Sequence, residues 1–240
     1  LVVGGGTLTT DVGAVAVGTT ATTTAAIVSA LGVSVTGTSS LGGDVTATNG
    51  GITLTGATTL TTTVAIDSGA GDGTITFGST LNGTTDFTED LTLTAGGGNI
   101  DFDGVVGGTI DLGDVSIVSA ANVTADTTFN ADSLTQTAGT GTTTFSGAVA
   151  INNGSGSNVA ITTNNVAVNA SFSTSNDGTV TITNAGTFSS LAAGDFTIDG
   201  AFLQNGAGAV SLAGDITTTN DAITFMRAVT LGANVALSSG

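Results

Sequence analysis

The amino-acid sequence predicts an all-β fold in which a single strand of chain winds into a parallel β-helix, or β-solenoid, with coils of roughly 20–25 residues. Three observations lead there. Short runs alternate apolar and polar residues. One such motif recurs at intervals of 23 and 25 residues, from Ile52 to Ile75 and from Ile75 to Ile100. The composition combines 38 Gly with no Pro.

The alternation is seen in Ile52-Thr-Leu54-Thr-Gly, Ile75-Thr-Phe77-Gly and Leu91-Thr-Leu93-Thr, and again in Ile100-Asp-Phe102-Asp-Gly and Val180-Thr-Ile182-Thr. In an extended chain, successive side chains point to opposite sides, so each run has one apolar face and one Thr, Ser or Asp face. Branched Val, Ile and Thr fit a pleated surface. One Glu, no Lys and frequent Gly leave no basis for long helices.

The motif Gly-x-apolar-polar-apolar-polar-Gly occupies Gly50 to Gly56 and Gly98 to Gly104, with a copy one residue shorter at Gly73 to Gly78. Looser copies follow at Thr142 to Gly147, Gly178 to Thr183, Gly194 to Gly200, Gly208 to Gly214 and Asp221 to Phe225. Their irregular spacing fits a coil of two or three strands, any of which can carry the motif. Strands this short cannot bury a face alone, but stacked coils can. At about 4.8 Å per coil, ten or eleven coils would form a rod of about 50 Å. Tight corners call for Gly, and Pro would delete a ladder hydrogen bond. Gly, Thr and Asn are spread throughout without a linker, so residues 1–240 read as one continuous domain.

Composition narrows the alternatives. A propeller would need regular four-stranded blades and its Trp signatures, and Trp is absent. Antiparallel sandwiches are the remaining all-β rival, supported by Asn-Gly at Asn49, Asn82, Asn153 and Asn205 but lacking a large buried aromatic beyond Phe. Gly has no three-residue period, which excludes collagen. The apolar stretch from Val12 to Val35 is broken by Thr and Gly, against a transmembrane helix, and no Trp or Tyr exists to form a barrel's girdles. Hydrophobic content of 40% and mean hydropathy of +0.44 are unlike a disordered chain.

The charge balance is lopsided: one Lys or Arg against 18 Asp plus Glu, a formal net charge of -17. A single cation cannot neutralise a run of phosphates, so neither nucleic acid nor insertion into a membrane is expected. With no His, Cys or Lys, the usual general base, thiol nucleophile, Schiff-base amine and zinc ligands are missing. No enzymatic role is expected. The chain begins at Leu1 without a signal peptide and ends in mid-pattern at Val235-Ala-Leu237-Ser-Ser-Gly240, as expected of an internal segment of a longer repeat protein.

Runs such as Gly73-Thr-Ile-Thr-Phe-Gly-Ser-Thr-Leu-Asn-Gly83, Asn99-Ile-Asp-Phe-Asp-Gly-Val-Val-Gly-Gly108 and Ala228-Val-Thr-Leu-Gly-Ala-Asn-Val-Ala-Leu-Ser-Ser-Gly240 resemble the repeat regions of filamentous-haemagglutinin-like proteins and autotransporter passengers. The resemblance is one of texture across the whole chain. It implies a right-handed coil, an extracellular location on the bacterial cell surface, and a structural role in an adhesin or filament, in adhesion and cell–cell contact. The partners it implies are neighbouring segments of the same long chain, other copies end to end, and host or cell-surface glycans or proteins.

Candidate chemistry is confined to carboxylates. Asp86, Glu89 and Asp90 fall together, as do Asp101 with Asp103 and Asp111 with Asp114. Asp101 and Asp103 share a strand face about 7 Å apart. Paired carboxylates serve glycoside hydrolysis or hold Ca²⁺, so Asp101, Asp103, Asp111 and Asp114 are the Ca²⁺ candidates, and a carbohydrate-active or carbohydrate-binding domain is the alternative function. The competing reading is a solvated outer face. Gly69-Ala-Gly-Asp-Gly-Thr-Ile75 is a displaced, unrepeated version of a calcium-binding nonapeptide. No other cofactor is expected. The pairs Thr53/Thr55, Thr74/Thr76, Thr92/Thr94, Thr142/Thr144, Thr181/Thr183 and Thr217/Thr219 resemble the ranks of ice-binding solenoids, although Thr also simply suits exposed strand positions. Gly4-Gly5-Gly6 and Gly96-Gly97-Gly98 lack the Lys of a phosphate loop. Asn82, Asn122, Asn153 and Asn169 begin glycosylation sequons, which a chain rich in Asn and Thr contains by chance.

Overall fold

The structure, a computed structural model, describes residues 1–3, 8–10, 13–23, 25–152 and 158–240. The Gly4–Gly6 run, Val12 and the Asn153 sequon, with its Asn-Gly pair, lie outside the described residues. Among the described residues there are no helices, and every strand pairing is parallel. The chain is a β-solenoid of about 11 turns.

The coils stack along three faces, most contributing a short strand to each. Face three is an unbroken 11-stranded sheet from Val15–Val17 to Val229–Leu231. Its register runs Val15, Val33, Ile52, Ile75, Ile100, Val123, Thr143, Val166, Phe188, Val210, Val229. The intervals range from 18 residues (Val15 to Val33) to 25 (Ile75 to Ile100), slightly wider than the repeat spacing predicts. The steps from Ile52 to Ile75 and on to Ile100 match the sequence motif.

Face one starts with five strands, Val2–Val3 to Leu81–Asn82, and continues through single bridges at Val106 to Phe129. Beyond, it runs through Val149–Ile151, Phe172–Thr174, Phe196–Ile198 and Ile216–Thr218. Face two follows Ile27–Ser29, Val45–Ala47, Val64–Asp67 and Leu91–Thr94, and later Val159–Thr163, Val180–Asn184 and Phe202–Gln204. The two faces meet in the long strands Leu112–Ser119 and Phe129–Gln136, eight residues each, which carry the sheet around their shared corner. The late motif copies land on different faces: Thr142–Phe145 and Ala209–Leu212 on three, Val180–Asn184 on two, Phe196–Ile198 on one.

Alternation turns one file of each strand inward. Ile52 and Leu54 are buried and Thr53 is not, a pattern repeated along the rod. The early interior holds Val, Ile, Leu and Ala, and Phe enters only from Phe77 onward. Phe77 and Phe102, one coil apart, stack with centroids 5.3 Å apart and planes 4° apart. Further contacts link Phe172 to Phe196 and Phe196 to Phe202. Truncating one such ring would cost about 3–5 kcal/mol.

The corner between faces two and three requires glycine for steric reasons. A β-carbon on Gly50 would overlap the Leu31 carbonyl oxygen of the coil below, and one on Gly208 the Gly186 carbonyl oxygen. Gly13 has open space around it. Gly50→Ala is therefore expected to destabilise by about 3 kcal/mol or more, the upper range of overpacking, while Gly13→Ala stays within about 1 kcal/mol of the parent. Denaturant melts of the two variants check this; equal midpoints would contradict the stacked-corner geometry.

Candidate functional site

The Asp and Asn residues find their first use in the backbone ladder. Where a strand begins, the pre-strand residue points both its carbonyl and its N–H at the coil below. The Ile75 N–H already occupies the Asn99 carbonyl, at 2.9 Å. The N–H of Asn122, stacked on Asn99, therefore has no backbone acceptor and donates to Asn99 Oδ1 at 3.2 Å. The same geometry recurs on all three faces. Asn122 Oδ1 accepts from Thr142 N–H (2.8 Å), Asn165 Oδ1 from Thr187 N–H (2.7 Å) and Asn158 Oδ1 from Thr179 N–H (3.2 Å). Carboxylates serve equally: Asp44 takes Ala65 N–H (2.8 Å), Asp90 takes Asp114 N–H (2.9 Å), Asp195 takes Asp215 N–H (2.8 Å) and Asp215 takes Ala236 N–H (2.7 Å).

The sequence signal for this role is Asp or Asn immediately before an apolar-x-apolar run, as in Asn99-Ile-Asp-Phe102 and Asp195-Phe-Thr-Ile198. The structure shows them opening strands, each one cross-linking its coil to the next.

The four Ca²⁺ candidates do not come together as one set. Asp101 lies on the outward file of face three, between Thr76 and Thr124, with Asp103 and Asp126 near its charge. Asp111 is paired with Asp86, whose Oδ1 accepts the Asp111 N–H at 3.1 Å. Asp114 Oδ1 accepts from Ser133 Oγ at 2.5 Å. Among the described residues, no group of three or more His, Cys, Asp or Glu is placed to hold a metal ion. The Thr-x-Thr pairs are likewise divided: Thr53, Thr76 and Thr144 on face three, Thr92 and Thr181 on face two, Thr217 on face one. Asp101 interrupts the face-three file. Of the sequon residues, Asn122 is engaged through both side-chain atoms, and Asn82 Oδ1 accepts from Thr109 N–H.

Glu89, the chain's only Glu, is buried, unlike the solvated acidic cluster in which the sequence places it. Its Oε1 accepts from Thr84 Oγ1 (2.6 Å), and its Oε2 from Thr84 N–H (2.9 Å) and Thr85 N–H (3.0 Å). It thereby closes the loop between Asn82 and Leu91. Burial alone would push this carboxyl up, but the hydrogen bonds from Thr84 and Thr85 outweigh it and hold it below the usual carboxylate range. Burial and the charges of Asp103 and Asp126 push Asp101 up. Burial and Asp86 do the same to Asp111.

Polar groups also interrupt the interior. Thr143 stands in the file between Val123 and Val166, and its Oγ1 donates to Gln136 Oε1 at 2.6 Å. Gln204 Nε2 donates to Asn184 Oδ1 at 2.8 Å. These pairs lie along the side facing the corner between faces two and three.

Fold and side-chain placement define a repeat protein of the β-solenoid class. No family model, no curated protein and no solved structure matches the chain.

Two outcomes follow from the placement of these side chains. Asn122→Ala removes the acceptor of Thr142 N–H and is expected to cost about 1–2 kcal/mol in urea unfolding, against almost nothing for exposed Thr135→Ala. Equal costs would show that the corner side chains are ornamental. The pH dependence has two opposed parts. The raised carboxyls of Asp101 and Asp111 oppose folding at neutral pH, and this penalty is relieved as pH falls through their values. Glu89, with its lowered value, stabilises above the unfolded carboxyl range, and that support is lost as pH falls through its folded value. Asp101→Asn is therefore expected to raise the melting temperature at neutral pH, with the gain disappearing in acid. A variant that melts lower than the parent at neutral pH would contradict the repulsion.

Proposed function

We propose that the chain is a structural, non-catalytic module: a stiff β-helical rod of a large secreted or bacterial cell-surface protein, an adhesin or filament, which projects other modules and mediates adhesion and cell–cell contact. The observation that carries this reading is the continuous parallel ladder of about 11 turns, cross-linked at its corners by side chains. At about 4.8 Å per coil, it gives a rod about 50 Å long whose length scales with the number of coils. The charge of -17 favours dispersal of such rods over sticking. Arg227 is the one site for trypsin. The resemblance to filamentous-haemagglutinin-like and autotransporter repeat regions supplies the cell-surface part of the reading.

Antibodies raised against the purified rod test the location and the role together. The expected result is labelling of intact source cells and a loss of cell–cell aggregation when Fab fragments coat them. Labelling only after permeabilisation, with aggregation unchanged, would overturn the reading.

A further inference from the structure

The Asn-Gly pairs, turn signals in the sequence, are treated differently from one another by the fold. Asn153-Gly154 lies outside the described residues. At Asn82 both the side chain and the next N–H are held: Thr109 N–H donates to Asn82 Oδ1 at 3.0 Å, and Gly83 N–H donates to the Ile110 carbonyl at 3.3 Å. At Asn205 the Oδ1 accepts from Thr183 Oγ1 at 2.5 Å, and Gly206 is buried. Asn49 is exposed, at the corner between faces two and three. Among the described residues, neither its side chain nor the Gly50 N–H has a hydrogen-bond partner.

An Asn side chain and the N–H of the residue after it are the two ends of a five-membered ring. Closing that ring requires an amide free to turn toward the N–H and a following residue with no side chain to crowd it. The fold keeps the second condition in place, because a β-carbon on Gly50 would overlap the Leu31 carbonyl oxygen of the coil below. Water reaches the pair through a groove of about 400 Å³, lined by Asn49, Gly50, Gly51, Asp72 and Gly73. Asp72 brings an exposed carboxylate to the same groove from the next coil.

We propose that Asn49-Gly50 is a self-modification site, at which the folded rod converts its own asparagine to aspartate and isoaspartate. The Gly50 nitrogen attacks Asn49 Cγ and a C–N bond forms. The Cγ–Nδ2 bond breaks, and Nδ2 departs as ammonia with the proton that Gly50 gives up. Water then opens the succinimide. Addition at Cγ leaves an aspartate at position 49, and addition at the main-chain carbonyl leaves an isoaspartate, whose backbone path is longer by a methylene. Either product adds a negative charge to a corner that already holds Asp72. The isoaspartate also lengthens the chain where Gly50 meets the Leu31 carbonyl. The reaction needs only the folded corner and water, wherever the rod is displayed.

Incubation of the intact chain in mildly alkaline buffer, followed by pepsin digestion and mass spectrometry of the peptides, tests this. Deamidation at position 49 is expected, with both product isomers resolved by fragmentation. The rate at Asn82 should be at least about tenfold lower, because two hydrogen bonds must break there first. Asn205 should lag as well. In urea the three sites should react at similar rates, since each is followed by glycine and the ladder is gone. Asn49→Gln, whose amide would have to close a six-membered ring, should keep the parent melting transition and lose the mass gain at this position. An unmodified Asn49 in the native chain, Asn82 or Asn205 reacting as fast as Asn49 there, an advantage of Asn49 that persists in urea, or a mass gain retained in Asn49→Gln would each overturn the proposal.

Discussion

Everything in this molecule depends on the requirement that each coil satisfy the backbone of the coil beneath it. A parallel ladder bonds N–H and C=O groups evenly along a strand, but at each strand entrance one N–H meets a carbonyl already in use. An N–H left unpaired between two coils would carry the full desolvation penalty, repeated at every turn. The oxygens of Asn99, Asn122, Asp195, Asp215 and their counterparts meet that need. The acidic character of the chain is therefore in part a consequence of its folding. Asp and Asn are interchangeable acceptors here, and this chain often uses the charged one.

That choice has an electrostatic consequence. Stacking places corner residues about 4.8 Å above one another, so carboxylates in consecutive coils repel. Asp126, in the next coil, acts on Asp101 in this way, with Asp103 adding its charge from the same coil, and Asp86 acts on Asp111. Glu89 escapes because three donors converge on it within its own loop. The rod is held together by its ladder and its apolar interior, against the mutual repulsion of its carboxylates.

The interior sets a second limit. A three-sided coil is narrow, and its early turns are filled by Val, Ile, Leu and Ala, whereas later turns stack Phe on Phe. Polar residues enter singly, as Ser29, Ser68, Thr174 and Thr218 donating to backbone carbonyls, and in pairs, as Gln136 with Thr143 and Gln204 with Asn184. Both pairs lie toward the corner between faces two and three. Each pair leaves one amide atom without a partner, Gln136 Nε2 and Gln204 Oε1.

The sequence by itself determined the all-β class, the stacking of coils and the spacing of Ile52, Ile75 and Ile100, because side-chain alternation and repeat interval are properties of the chain read in order. It marked the corners through glycine, whose role is steric and local. It did not reveal that coils have three faces, that two of them merge over Leu112–Ser119 and Phe129–Gln136, or that the Thr pairs divide among them. Those depend on where each loop turns, which period-two alternation does not encode. Asp101, Asp103, Asp111 and Asp114 were legible as acidic pairs, but their neighbours lie some 20 residues away in sequence, one coil up or down. Whether a carboxylate meets a cation, another carboxylate or a backbone N–H is settled only when coils are stacked in register, and so only the tertiary structure could assign them.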